Sequence, residues 1–207
     1  MPVILIANPK GGVGKSTVAS NAAGYLARGG HRVMLGDVDR QQSARRWLAI
    51  RPAHLPLIEG WDMEGRDTVK PPKGVSHVIL DTPAGLHGKR LEAVYRLADK
   101  ILIPLQPSLF DIQATYDFVQ ALQALRTETG HAPKLGVIGM RAKDGTLSVD
   151  QLQQFLRELS VPVLTLLRDT QNYVQLAARG ASLWDVAPSR VERDLQQWQP
   201  LCAWLDR

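Results

Sequence analysis

Apolar and polar positions along the chain alternate between two periods, and the switches between them mark out the elements. Continuous apolar runs bounded by glycine, proline or charge read as strands buried on both faces, at residues 2–7, 32–36, 76–80, 100–103, 134–140 and 161–166. A shorter strand is expected at 55–58. Between the runs the spacing becomes helical. In Lys15–Arg28 the positions Val18, Ala19, Ala22, Ala23 and Leu26 share one face, and Gly29-Gly30 is a stop that tolerates positive φ. Leu109–Thr129 repeats the pattern with Ile112, Tyr116, Val119, Leu122 and Leu125, a stripe expected to be core. Helices are also expected at 41–50 and 149–158 and at the C-terminal end, and residues 60–74, broken by Pro71-Pro72, read as a loop. Alternating strands and helices predict an α/β class: one domain over residues 1–207, with a mostly parallel twisted sheet flanked by helices.

The first switch of period carries the chemistry. Between the first strand and the first helix stands Asn8-Pro9-Lys10-Gly11-Gly12-Val13-Gly14-Lys15-Ser16-Thr17. Glycines let the backbone turn its N–H groups inward as a nest for phosphate oxygens, and the helix that follows presents its positive end to the same anion. Lys15 is placed to meet the β and γ phosphates, and the Ser16 hydroxyl to ligate Mg²⁺. The first glycine of the general phosphate-loop pattern is replaced by Pro9, and a second lysine, Lys10, stands at the mouth. Three aspartates lie at strand ends, where open α/β sheets bind ligands: Asp37, Asp39 and Asp81.

These residues resemble a known family. KGGVGKST looks like the deviant Walker A motif of the ParA/MinD ATPases, DVDRQ at 37–41 resembles their D-x-D-P-Q segment, and VILDTP at 78–83 resembles their Walker B strand. IPLQPS at 103–108 and the stretch from Arg168 through Gly180 to Trp184-Asp185 read the same way, so the likeness spans nearly the whole chain. It is nearest to short ParA-type partition ATPases, which lack an N-terminal DNA-binding extension.

The resemblance implies a P-loop ATPase that binds ATP and Mg²⁺ through Lys10, Gly11, Gly12, Val13, Gly14, Lys15, Ser16 and Thr17. Ser16, Asp37 and Asp81 would face the metal, and Asp39 would position the attacking water. Lys10 matches the lysine that reaches across a homodimer to the partner's phosphates, where two facing nucleotides create repulsion that a cation relieves. ATP-bound dimers of this type bind double-stranded DNA nonspecifically; Arg168, Arg179, Arg190 and Arg193 are the candidate contacts here. Turnover is expected to be slow, stimulated by a ParB-like or other small adaptor, and the location cytoplasmic, on the nucleoid when ATP is bound. The cargo is expected to be a plasmid or chromosome, with a protein-based body as the alternative. Arg40 replaces the proline of D-x-D-P-Q, and Gly139-Met140-Arg141 stands where relatives often carry an adenine-reading asparagine, so backbone groups near 162–168 are expected to meet the base instead.

Composition narrows the alternatives. The chain has 207 residues with 44% hydrophobic and 22% charged, enough to bury a core and inconsistent with wholesale disorder. The apolar runs are strand-sized, so neither a membrane span nor a secretory signal is expected. Cys202 is the single cysteine, which argues against disulfides and against an iron-protein or metal-carrier function built on several thiols. A MinD-like membrane-surface ATPase needs a basic amphipathic C-terminal helix. Here Trp198, Leu201, Trp204 and Leu205 share an apolar side with little basic charge, so a helix packed on the domain is expected. The net charge of +5 lies wholly in residues 1–100. Arg45, Arg46 and Arg51 form one group and Lys89, Arg90, Arg96 and Lys100 another, each expected to be a solvated helix face.

Overall fold

The computed structural model describes residues 1–38, 42–62, 74–142, 152, 155 and 161–207. Among them seven parallel strands form one sheet in the order β3-β2-β4-β1-β5-β6-β7. These are β1 (Val3–Ile6), β2 (Val33–Asp37), β3 (Ile58–Asp62), β4 (His77–Asp81), β5 (Lys100–Leu105), β6 (Lys134–Ala142) and β7 (Val163–Arg168). The helices are α1 (Lys15–Arg28), α2 (Ser43–Ala49), α3 (Gly88–Tyr95), α4 (Leu109–Thr129), α5 (Gln171–Ala177) and α6 (Pro188–Leu205), with a 3₁₀ turn at Leu183–Asp185. The helices at 41–50 and 149–158 were expected on segments partly outside the described residues; Leu152 and Phe155 are helical.

Continuous apolar strands arise because both faces of the sheet are covered. Side chains alternate across β1, sending Val3 and Leu5 into one core with Leu91, Val94, Phe118 and Leu122 of α3 and α4. Ile4 and Ile6 enter the other, with Val18, Ala22 and Leu26 of α1 and Trp198, Leu201 and Leu205 of α6. The apolar side of the last helix is therefore packed on the sheet, and its carbonyls at Trp204 and Leu205 accept hydrogen bonds from Lys100 Nζ at 3.1 and 2.6 Å.

Several expectations change. The strand at 55–58 lies instead at Ile58–Asp62, paired with β2, so the start of the expected loop is an edge strand. Helix α3 carries Lys89 and Arg90 of the group expected on a helix face, while Leu91, Val94 and Tyr95 supply its short apolar face. Tyr116 is 45% exposed, and Phe118 fills the core position in its place. Lys100 is buried rather than solvated, and burial pushes its ammonium below the ordinary lysine range.

Candidate nucleotide-phosphate site

The loop between β1 and α1 is shaped by glycines in backbone conformations that side chains seldom adopt. Gly12 and Gly14 have φ of 75° and 95°, and a β-carbon on Gly14 would lie 2.8 Å from Met140 Cε. Gly14 caps α1 without a side chain, and its carbonyl accepts the Val18 N–H at 2.9 Å as the first helical bond. Helix geometry then aims the N–H groups of the first turn, at Lys15, Ser16 and Thr17, toward an anion in the loop.

Asn8, which sequence reasoning did not single out, holds that shape. Its buried amide donates to Pro104 O and Thr115 Oγ1, both at 2.9 Å, while its oxygen accepts the Lys10 N–H at 2.9 Å. Gln106 Nε2 donates to Gly12 O at 2.6 Å, and the Gly85 N–H to Pro9 O at 2.8 Å. The loop is thus tied to the ends of β4 and β5 and to α4. The available signal was positional: Asn8 and Gln106 are polar residues directly after buried apolar strands.

The two lysines divide. Lys15 is buried, its ammonium donating to Lys10 O at 2.7 Å and Asn8 O at 3.1 Å, inside the loop. Lys10 is half-buried at the mouth, and no ion pair among the described residues involves it.

Asp37 and Asp81 are register partners at the carboxyl ends of β2 and β4. Asp81 is buried, and its carbonyl accepts the Val38 N–H at 3.0 Å. Asp37 Oδ2 accepts the N–H groups of Ala44 at 2.8 Å and Arg45 at 3.3 Å, which caps α2. Asp37 therefore has a helix-capping role in addition to any toward a metal. Asp39 lies outside the described residues. A hydroxyl at Ser16 and carboxylates at Asp37 and Asp81 are hard oxygen donors that suit Mg²⁺.

The remaining cations are not one surface. Arg51 is buried, not solvated: it forms a two-pronged pair with Asp185 at 2.9 and 3.1 Å and donates to Gly180 O and Pro56 O. Arg168 Nε donates to the wholly buried Asp194 at 2.5 Å, so this guanidinium is engaged inside the fold. Arg179, Arg190 and Arg193 are exposed. Pro162 lies at the amino end of β7, away from the loop, so only the Arg168 end of the 162–168 segment reaches the site's side of the sheet. Burial, helped by Asp206, pushes the Cys202 thiol up to about 12, which leaves it a protonated, poor metal ligand.

With this geometry in place, comparison identifies the architecture. Residues 4–183 match the CbiA model, the CobQ/CobB/MinD/ParA nucleotide binding domain. The chain belongs to this family. It is 30% identical over 184 residues to the maintenance of carboxysome distribution protein A of Gloeobacter kilaueensis, covering 87% of this chain and 83% of that one. It is also 30% identical over 190 residues to the chromosome-partitioning ATPase Soj of Thermus thermophilus, covering 74% and 75%. A putative plasmid partition protein from Borrelia burgdorferi, solved with AMPPNP, superposes with a TM-score of 0.74 over 98% of this chain and 99% of that one, at 16% identity. That last likeness bears on the fold alone. The matched region contains the glycine-rich loop between β1 and α1.

Proposed function

We propose that this chain is a ParA-type positioning ATPase: a switch that dimerises on ATP, binds DNA nonspecifically as a dimer, and is reset by partner-stimulated hydrolysis to ADP and phosphate. The observation that carries the reading is the division of the two loop lysines. Lys15 is held inside by loop carbonyls, and Lys10 stands at the mouth, where a cation does little for its own loop and can serve a facing one.

In this mechanism Lys15 and the first turn of α1 bind the β and γ phosphates, and Lys10 meets the partner's nucleotide. Ser16, Asp81 and Asp37 orient Mg²⁺, directly or through water, and the ion when bound draws charge off the phosphate oxygens. Asp39 positions the attacking water. The two relatives of equal identity carry names pointing to different cargoes, carboxysomes and chromosomes. Partition of a plasmid or chromosome and distribution of a protein body are therefore both open to the same switch, through an adaptor. A membrane-surface reading has less support, because Trp198, Leu201 and Leu205 are buried.

The test is size-exclusion chromatography with light scattering in ATP and Mg²⁺, alongside phosphate release. The parent is expected to shift from monomer to dimer. Lys10→Ala should bind ATP within a few-fold of the parent yet stay monomeric, and Asp39→Ala should dimerise without hydrolysing. A Lys10→Ala protein that dimerises like the parent, or an Asp39→Ala protein with parental turnover, would overturn the respective assignment.

A further inference from the structure

The sheet has a second pole. Its strands are parallel, so the amino ends of β6 and β7 lie opposite the phosphate loop, about 20 Å away along β6. A cavity of about 310 Å³ opens there, between α4, the residues entering β6 and those entering β7. Buried Tyr95, Leu122 and Val161 line it, and Leu135 adds to the apolar wall. Tyr95 is fixed by its hydroxyl, which donates to His131 O at 2.8 Å. Clefts for small molecules run from about 300 to 1,000 Å³, so this one suits a molecule of one or two rings rather than a chain segment.

The charge around the cavity is one-sided. Arg126 and Lys134 both line it and are exposed, and no ion pair among the described residues involves either. Among the described residues that line it there is no aspartate or glutamate. The Arg126 charge reaches the Tyr95 hydroxyl, drawing it down against the larger upward push of burial. Lys134 acts on Lys100 in a like sense, adding to the downward push of burial on that ammonium.

Cations on a convex helix face need no ligand, because water solvates them. These two instead border a concavity with apolar walls, where a matching ligand would bury its body and bring a negative charge to both. A guanidinium and an ammonium together offer donors only, which a carboxylate, an acceptor at both oxygens, satisfies. We propose that this cavity binds a small organic carboxylate, with a ring or branched chain against Leu122, Leu135 and Val161 and the carboxylate on Arg126 and Lys134. The site is separate from the phosphate loop and does not depend on the switch reading.

Phenylpropionate would be titrated into the full chain and followed by amide chemical shifts in NMR. Two comparison probes accompany it: phenylpropionamide, which keeps the ring without the charge, and acetate, which keeps the charge without the ring. Phenylpropionate is expected to bind about fivefold more tightly than either, or better, with shifts centred on residues 122–126 and 132–135. Arg126→Gln and Lys134→Gln, at exposed positions, should keep the parental melting temperature. Each should weaken phenylpropionate by about threefold and leave the amide unchanged, and the double variant should bind acid and amide alike. Arg126→Lys, which keeps the charge, should retain most of the affinity. Equal binding of acid and amide by the parent, binding that neither glutamine variant weakens, or no binding of phenylpropionate would overturn the proposal. So would competition by ADP with Mg²⁺, which would place the carboxylate in the phosphate loop instead.

Discussion

Arg51 shows how far a single side chain can depart from its solvated appearance in a sequence. Its guanidinium meets Asp185 through both terminal nitrogens, and the two side chains are 5% and 1% exposed. Its Nε and remaining contacts run to Pro56 O and Gly180 O, so the pair joins the end of α2 to the 180–185 segment. Burial pushes the Asp185 carboxyl up, but hydrogen bonds from Arg51 and Ser182 outweigh it and hold the group below the usual aspartate range. Removing one member of a buried pair costs about 3–5 kcal/mol, whereas replacing both with apolar groups is often near neutral. Arg51→Met should therefore lower stability by about that amount in urea denaturation at pH 7, and Arg51→Met with Asp185→Leu should recover most of it. The depressed folded-state value also sets a pH dependence. The contribution is complete above the unfolded aspartate value of about 3.9 and is lost as pH falls through the lower folded value. Arg51→Met should lack this acid-side loss; parental acid sensitivity in that variant would remove Asp185 from the account.

At the scale of elements, α1 is placed by contact with the 3₁₀ turn as well as by the sheet. A β-carbon on Gly24 would stand 2.2 Å from Ser182 Oγ and 2.5 Å from Ser182 Cβ, and Asn21 Oδ1 accepts the Leu183 N–H at 3.0 Å. Propensity alone would have Gly24→Ala stabilise the helix by about 1 kcal/mol, but overpacking costs about 1–3 kcal/mol. The second effect should prevail, lowering Tm by a few degrees, with recovery when Ser182→Gly is added; a raised Tm in Gly24→Ala would show that the turn yields freely. Contacts of this kind explain what could be read in advance. The bounds of α1 were legible because a long apolar period ends at a glycine pair, and those of α4 because Ser108 and Gly130 punctuate it. Edge strand β3 was not, since an edge strand keeps few apolar positions, here Ile58 and Trp61, and its pairing is decided by β2. Helix α3 carries its apolar face on three residues among basic ones, too short for a period to show. In the site, the phosphate loop was legible from local spacing. The register of Asp37 against Asp81 and the grip of Asn8 and Gln106 depend on strand order, which local spacing does not encode.

For the whole molecule, the net charge of +5 is a poor guide to where a polyanion would bind. Lys15 and Lys100 are buried, Arg51 and Arg168 are paired with buried aspartates, and Lys10 stands at the mouth of the phosphate loop. The exposed cations on the α5–α6 side are Arg179, Arg190 and Arg193. Three cations on one subunit make a weak phosphate-binding surface; a dimer doubles the number, and counterion release makes the logarithm of affinity scale with it. Nonspecific duplex DNA should therefore be retained at low salt only with ATP and Mg²⁺. Each arginine that contacts a phosphate contributes about 0.9 to the slope of log affinity against log salt. Arg179→Ala or Arg190→Ala in both subunits should flatten that slope by about twice as much and leave the melting temperature unchanged. Arg168→Ala should do the reverse, because it strands Asp194, which is wholly buried and also accepts from Asn172 Nδ2 at 2.5 Å. The measurement is a filter-retention series across salt, paired with thermal melts of the same variants. Retention independent of ATP, or a slope that Arg179→Ala and Arg190→Ala leave untouched, would place the DNA surface elsewhere on the molecule. A flattened slope in Arg168→Ala with an unchanged melt would mean that its pair with Asp194 opens when the dimer forms.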